Sequence, residues 1–170
     1  MKASRTSPPL LASKAPADDA AAQVLRQFRQ VFNAVKTHFQ HVEKQVGLGG
    51  AQLWALNTVR EQPGIGMGEL ARAMDIHQST ASNLTKGLIE RQMIEAVREG
   101  EDRRAVQLRL LPAGARVLRS APAPFTGVLP GALRRLDPKV LRRLSKDLAL
   151  LIVELDADEH AAHIPLSEGI

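Results

Sequence analysis

The sequence predicts a mainly α-helical fold with one small β-hairpin, on three observations. Apolar residues make up 44% of the chain while aromatics make up 3%, long stretches repeat apolar residues at steps of three and four, and one short stretch alternates instead. A core poor in rings is filled by Leu, Val, Ile and Ala, which pack well along helix faces. A length of 170 residues gives one compact unit with additional helices.

Residues 1–17 hold Pro8, Pro9 and Pro16 among Ser, Lys and Thr without any period, which predicts a mobile arm. A first long helix is expected over 18–47, starting at Asp18 or Asp19, with Val24, Phe28, Val31, Val35, Phe39, Val42 and Val46 forming a stripe. Gly47, Gly49 and Gly50 stop it. Leu53, Leu56 and Val59 mark a shorter second helix that ends at the Pro63, Gly64 turn. A third follows from Met67 to Met74, with Leu70 and Ala71 inward.

After a break at Asp75 to His77, helical spacing returns from Gln78 to Gln92, with Ala81, Leu84, Leu88 and Ile89 on one face. Residues 94–98 and 104–110 read as two strands around a charged tip, Glu99 to Arg103; the second alternates Val106, Leu108 and Leu110 with Gln107 and Arg109. Pro112 suits a first helical position, and the helix it opens is expected to break at Pro122, Pro124, Gly127, Pro130 and Gly131. Asp137 caps a last helix begun by Pro138 and striped by Leu141, Leu144, Leu148, Leu151, Ile152 and Leu155. Residues 157–170 form an acidic tail.

The helix at 67–74, the three-residue break and the helix from 78 have the lengths and buried positions of a helix-turn-helix, and a hairpin follows directly. The outer face of the second helix reads Gln78, Ser79, Thr80, Ser82, Asn83 and Lys86. These side chains are short enough to let a backbone approach base edges and able to donate and accept; Gln78 and Asn83 suit bidentate contact with adenine. A net charge of +5 and a pI near 10.1 favour a polyanionic partner.

Residues 48–118 resemble the MarR family of bacterial regulators, most clearly in GMGELARAMDIHQSTASNLTKGLIERQMIEAVREGEDRRAVQLRLLPAGARVL. The run Glu101, Asp102, Arg103, Arg104, Ala105 is similar to that family's Asp-x-Arg wing motif. The resemblance implies a winged helix-turn-helix lobe over 48–111 in which Asp102 braces the wing and Arg103 or Arg104 enters a minor groove. It also implies dimerisation helices at 18–47 and 112–156, a palindromic double-stranded operator and a small anionic or phenolic effector. Four positions depart from the pattern: His77 stands where the family often has a Ser or Asp cap, Leu111 where Thr is usual, and Gly49 and Gly50 replace polar capping residues. Each such loss weakens a helix start by about 1 kcal/mol.

The implied effector has four candidate neighbours: His38, His41, Trp54 and Arg116. Residues 112–146 carry eight Lys and Arg against Asp137, whereas 147–170 carry acids and no Lys or Arg, an asymmetry that favours an anion but also suits a solvated basic face. His38 with His41, and His160 with His163, are i, i+3 pairs able to share a metal, yet neither has a cysteine or a partnered carboxylate at ligand spacing. No metal and no cofactor is therefore expected. Absent cysteines exclude disulfides and thiol redox sensing and suit a reducing cytoplasm. No stretch reaches the roughly 18 apolar residues of a membrane span, so a cytoplasmic protein working at the nucleoid is expected.

Nothing resembling a nucleophile elbow, a zinc-protease helix or a Walker loop occurs, and no enzyme is expected. The expected function is a ligand-released repressor. Its rivals are a metal-responsive regulator and a winged-helix module that binds protein without reading bases.

Overall fold

The computed structural model describes residues 15–98 and 106–168. Seven helices and two strands follow in the order α1 (Ala15–Val46), α2 (Gly50–Glu61), α3 (Met67–Met74), α4 (Gln78–Glu90), β1 (Ile94–Arg98), β2 (Val106–Leu110), α5 (Pro112–Ser120), α6 (Val128–Arg134) and α7 (Pro138–Glu154). Two 3-10 turns close the described chain, η1 (Glu159–His163) and η2 (Leu166–Glu168). Contacts divide the chain into one unit through Asn33 and a second from Ala34 onward.

In the first unit, the early part of α1 leaves Val24, Leu25, Val31 and Phe32 exposed. Phe28 stacks on Phe32 with ring centroids 6.2 Å apart, the one-turn spacing that brings i and i+4 side chains together. The helix starts at Ala15, three to four residues ahead of the predicted Asp18 or Asp19, because Ala20, Ala21 and Ala22 extend a strong helix-forming run back toward Pro16.

The second unit is built around α2. Leu48, Leu53, Leu56, Leu70, Met74, Leu88, Ile94 and Leu108 are fully buried in one cluster joining α2, α3, α4 and the hairpin. α2 begins at Gly50, which tucks under the Phe39 ring where any Cβ would collide. Gly114 is equally constrained: a Cβ there would run into the Met93 carbonyl oxygen and the Leu56 and Leu110 side chains.

β1 and β2 pair antiparallel, with Ile94 opposite Leu110, Ala96 opposite Leu108 and Arg98 opposite Val106. Gly66 forms a short antiparallel bridge with Gln107 on the other side of β2, with the Gly64 N–H donating to the Leu108 carbonyl at 3.1 Å and the Leu108 N–H to the Ile65 carbonyl at 3.0 Å. The expected interruption after α5 is present: α5 ends at Ser120, the Ala123–Pro124 peptide is cis, and α6 begins at Val128. Asp137 caps α7 as predicted, its carboxylate accepting from the Lys139 N–H at 2.7 Å. The segment read as an acidic tail is folded: η1 and η2 follow α7, and Pro165 between them is buried. Among the described residues no helix is long and apolar enough to cross a membrane.

Candidate nucleic-acid interface

α4 is held to the lobe by Ala81, Leu84, Thr85 and Leu88, all buried. Thr85 is the one polar member of that inner face, and its hydroxyl donates to the Ala81 carbonyl at 2.9 Å, which removes the cost of burying it. Gly87 lets α2 come close, since a Cβ there would lie 2.8 Å from Gln52 Nε2. At the far end, Arg91 Nη1 donates to the Gly47 carbonyl at 2.6 Å and ties α4 to the loop after α1. α4 is thus a rigid platform, and its orientation decides which residues face outward.

Those residues are Gln78, Ser79, Ser82, Asn83 and Lys86, all exposed, with Thr80 half-buried at the margin. The structure brings the predicted set onto one face of one helix. The turn before it is made by Asp75 in the left-handed region, φ 53°, whose N–H caps α3 through the Ala71 and Arg72 carbonyls. The missing caps foreseen from the sequence are missing: Gly49, His77 and Leu111 stand at the N-cap positions of α2, α4 and α5 without a side-chain cap bond. At α3 a carboxylate helps instead, Glu69 accepting from the Gly66 N–H at 2.9 Å. The wing residues Asp102, Arg103 and Arg104 lie outside the described residues; β1 and β2 lead to and from that tip.

The effector candidates separate. Trp54 lines a cavity of about 110 Å³ together with Val35, Phe39, Phe125, Val128 and Leu129. His38 adjoins it, half-buried, with Nε2 3.1 Å from the Pro124 carbonyl oxygen and its ring edge-on to Phe39 at 5.4 Å. His41 and Arg116 are exposed and are not among the lining residues. The interrupted segment after α5 does shape this cavity, through Phe125, Gly127 and Leu129, and Arg60 lies over the Phe125 ring at 5.4 Å. No group of three His, Asp or Glu among the described residues is arranged to hold a metal ion.

Sequence reasoning missed one cluster. His77, at the start of α4, has its ring 5.0 Å from that of His163 and 6.0 Å from that of His160. The i, i+3 spacing of His160 and His163 was visible, but their proximity to His77 depends on how the chain returns after α7, which no local pattern encodes.

With this geometry in place, comparison with known proteins is informative. The family model described as MarR family matches residues 46–105. The uncharacterised HTH-type transcriptional regulator YsmB of Bacillus subtilis (strain 168) is 26% identical over 98 residues, 58% of this chain and 67% of its own. Among solved structures, the S. aureus MepR-DNA complex superposes with a TM-score of 0.55 at 18% identity, covering 76% of this chain and 96% of that one. YusO from Bacillus subtilis gives 0.51 at 20% identity, covering 79% and 96%. At these identities the two structures speak for a shared winged-helix fold.

Proposed function

We propose that this chain, whose residues 46–105 match the MarR family model, is a transcriptional regulator of that kind that reads palindromic double-stranded DNA as a homodimer. The observation that carries the reading is the exposed polar face of α4, Gln78 to Lys86, on a helix fixed by four buried residues. The MepR relative was solved as a DNA complex.

In the proposed complex α4 lies in the major groove. The Asn83 and Gln78 amides each offer a donor and an acceptor to a separate adenine edge, while Ser79, Thr80 and Ser82 hydrogen-bond to bases or phosphates and Lys86 pairs with phosphate. Because His77 supplies no cap, the first-turn N–H groups of α4 keep their pull on an anion. Arg103 or Arg104, steadied by Asp102, enters the flanking minor groove, where negative potential is concentrated.

Dimerisation rests on α7, which buries none of its residues and exposes Leu150, Ile152 and Val153, with Leu155 exposed just past its end, and on the exposed apolar residues of early α1. A twofold pair spaces its recognition helices about 34 Å apart, one turn of duplex. The cavity at Trp54 and Phe39, with His38 beside it, is the proposed effector site; a ring-bearing or anionic ligand there shifts α1 against the lobe and releases the operator. The protein acts by binding, without a catalytic step.

Selection of bound duplexes from a random pool tests this reading. Enrichment of an inverted repeat with half-site centres about 10 base pairs apart is expected. Recovery of unenriched DNA would contradict it.

A further inference from the structure

The segment after α7 carries charge of the same sign as DNA. From Leu155 to Ile170 the sequence has Asp156, Asp158, Glu159 and Glu168 and no Lys or Arg. A polyanionic stretch is expected to stay in solvent, away from any surface built to attract phosphate. Asp156, Asp158 and Glu159 are indeed exposed, yet the histidines beside them bring the segment onto the lobe. His163 Nδ1 lies 3.6 Å from the Asp75 carboxylate and 3.3 Å from the Asp75 carbonyl oxygen, in the turn of the helix-turn-helix. The rings of His160 and His163 both meet His77, the residue that opens α4.

η1 is itself held in shape for that contact. The Asp158 carboxylate accepts from the His160 N–H at 2.9 Å and lies 2.8 Å from His160 Nδ1. Those two bonds hold its carboxyl below the ordinary value of 3.8, which keeps it ionised. Farther on, Pro165 is buried, and Ser167 shares a cleft with Gly49, Gln52, Asn83 and Leu84. The segment therefore meets the start of α4 at His77, and Ser167 lines the same cleft as Asn83.

We infer that residues 157–168 are a built-in competitor for the DNA-facing end of α4, docked through His160 and His163 and displaced when a duplex binds. The inference rests on the DNA-binding reading above. The docked imidazoles sit against His77 at the uncapped N-terminus of α4, where an incoming phosphate would otherwise be drawn. DNA has to push this segment aside, so the segment lowers affinity for every duplex and favours those whose base contacts repay its release.

Three forms of the protein decide the matter: the full chain, a chain ending at Asp156, and the full chain with His160→Ala and His163→Ala together. The probe is a non-specific duplex of about 30 base pairs at fixed salt. Both altered forms are expected to bind about tenfold tighter than the full chain. Saturating duplex is also expected to move the His160 and His163 ring-proton resonances of the full chain to the positions of an unstructured peptide. The double variant keeps Pro165 and Leu166 in place, so a folding failure of the shortened chain leaves the question answerable. Affinities equal within about twofold, with the full chain still binding DNA, overturn this inference alone. Failure of all three forms to bind any duplex overturns the DNA-binding reading, and this one with it.

Discussion

α4 and α7 carry similar apolar stripes in sequence and meet opposite fates in the structure. α4 buries Ala81, Leu84, Thr85 and Leu88 against α2 and α3 and turns a polar face outward. α7, at 17 residues the longer, buries none, and Val153 and Leu150 remain 75% and 70% exposed. The difference teaches that periodicity announces that a face will be covered without saying by what. The lobe from α2 to β2 supplies its own cover, whereas α7 has apolar surface left over, which on the proposed reading a second copy of the chain covers. A reader of DNA with two half-sites needs both: a rigid lobe to present side chains, and an unfinished surface to join two lobes.

The sharpest way to break this comparison is to charge the unfinished face. Leu150→Glu with Val153→Glu is expected to halve the mass seen in sedimentation while leaving the helical circular dichroism intact. Loss of the second half-site should then weaken operator binding by about a thousandfold, roughly 4 kcal/mol. A dimer that persists in this variant would mean that α7 is not the joining surface.

The same operation inside the lobe should read out as stability. Leu88 is fully buried, so Leu88→Ala is expected to cost about 3 kcal/mol in denaturant unfolding. Leu150→Ala, made at low concentration where the chains are separate, should change stability by less than about 0.5 kcal/mol. Gly114→Ala should cost about 2 kcal/mol, because the Met93 carbonyl it meets is backbone and cannot swing away.

Smaller effects sharpen the account of the helix starts. Gly49 has open space around its would-be Cβ and an ordinary φ of −63°, so Gly49→Ser should stabilise the lobe by about 0.5 to 1 kcal/mol. In η1, the depressed carboxyl of Asp158 gives a pH signature of fixed sign. Its contribution to holding the turn is complete above 3.8 and fades as the pH falls toward its lower folded value. Asp158→Asn should remove that dependence from the His160 amide signal.

Much of the lobe was legible because its signals are local. Met67 to Met74, the Asp75 to His77 break and the start of α4 at Gln78 are set by short-range spacing, and the structure reproduces them. The end of α4 was misjudged by two residues: Gln92 adopts φ 54° and the Met93 N–H closes onto the Leu88 carbonyl at 2.9 Å, a left-handed ending usually marked by Gly. The bridge at Gly66 was invisible, since a lone residue beside Ile65 has no period. Of the candidate residues, the α4 set could be read from one helix face. His41 and Arg116 were placed near a ligand by charge and type, and only the folded chain shows which side chains, Trp54, Phe39 and Phe125 among them, share a cavity. The docking of His160 and His163 beside His77 spans more than 80 residues of sequence and has no local trace.

The central claim, that the outer face of α4 reads bases, is tested most directly by titrating wild type and Asn83→Ala against operator and scrambled duplexes at one salt concentration. The account predicts a specificity ratio of about a thousand or more for wild type, and a loss of about 1 to 3 kcal/mol on the operator alone for the variant. Equal affinity of the two proteins for both duplexes would contradict it.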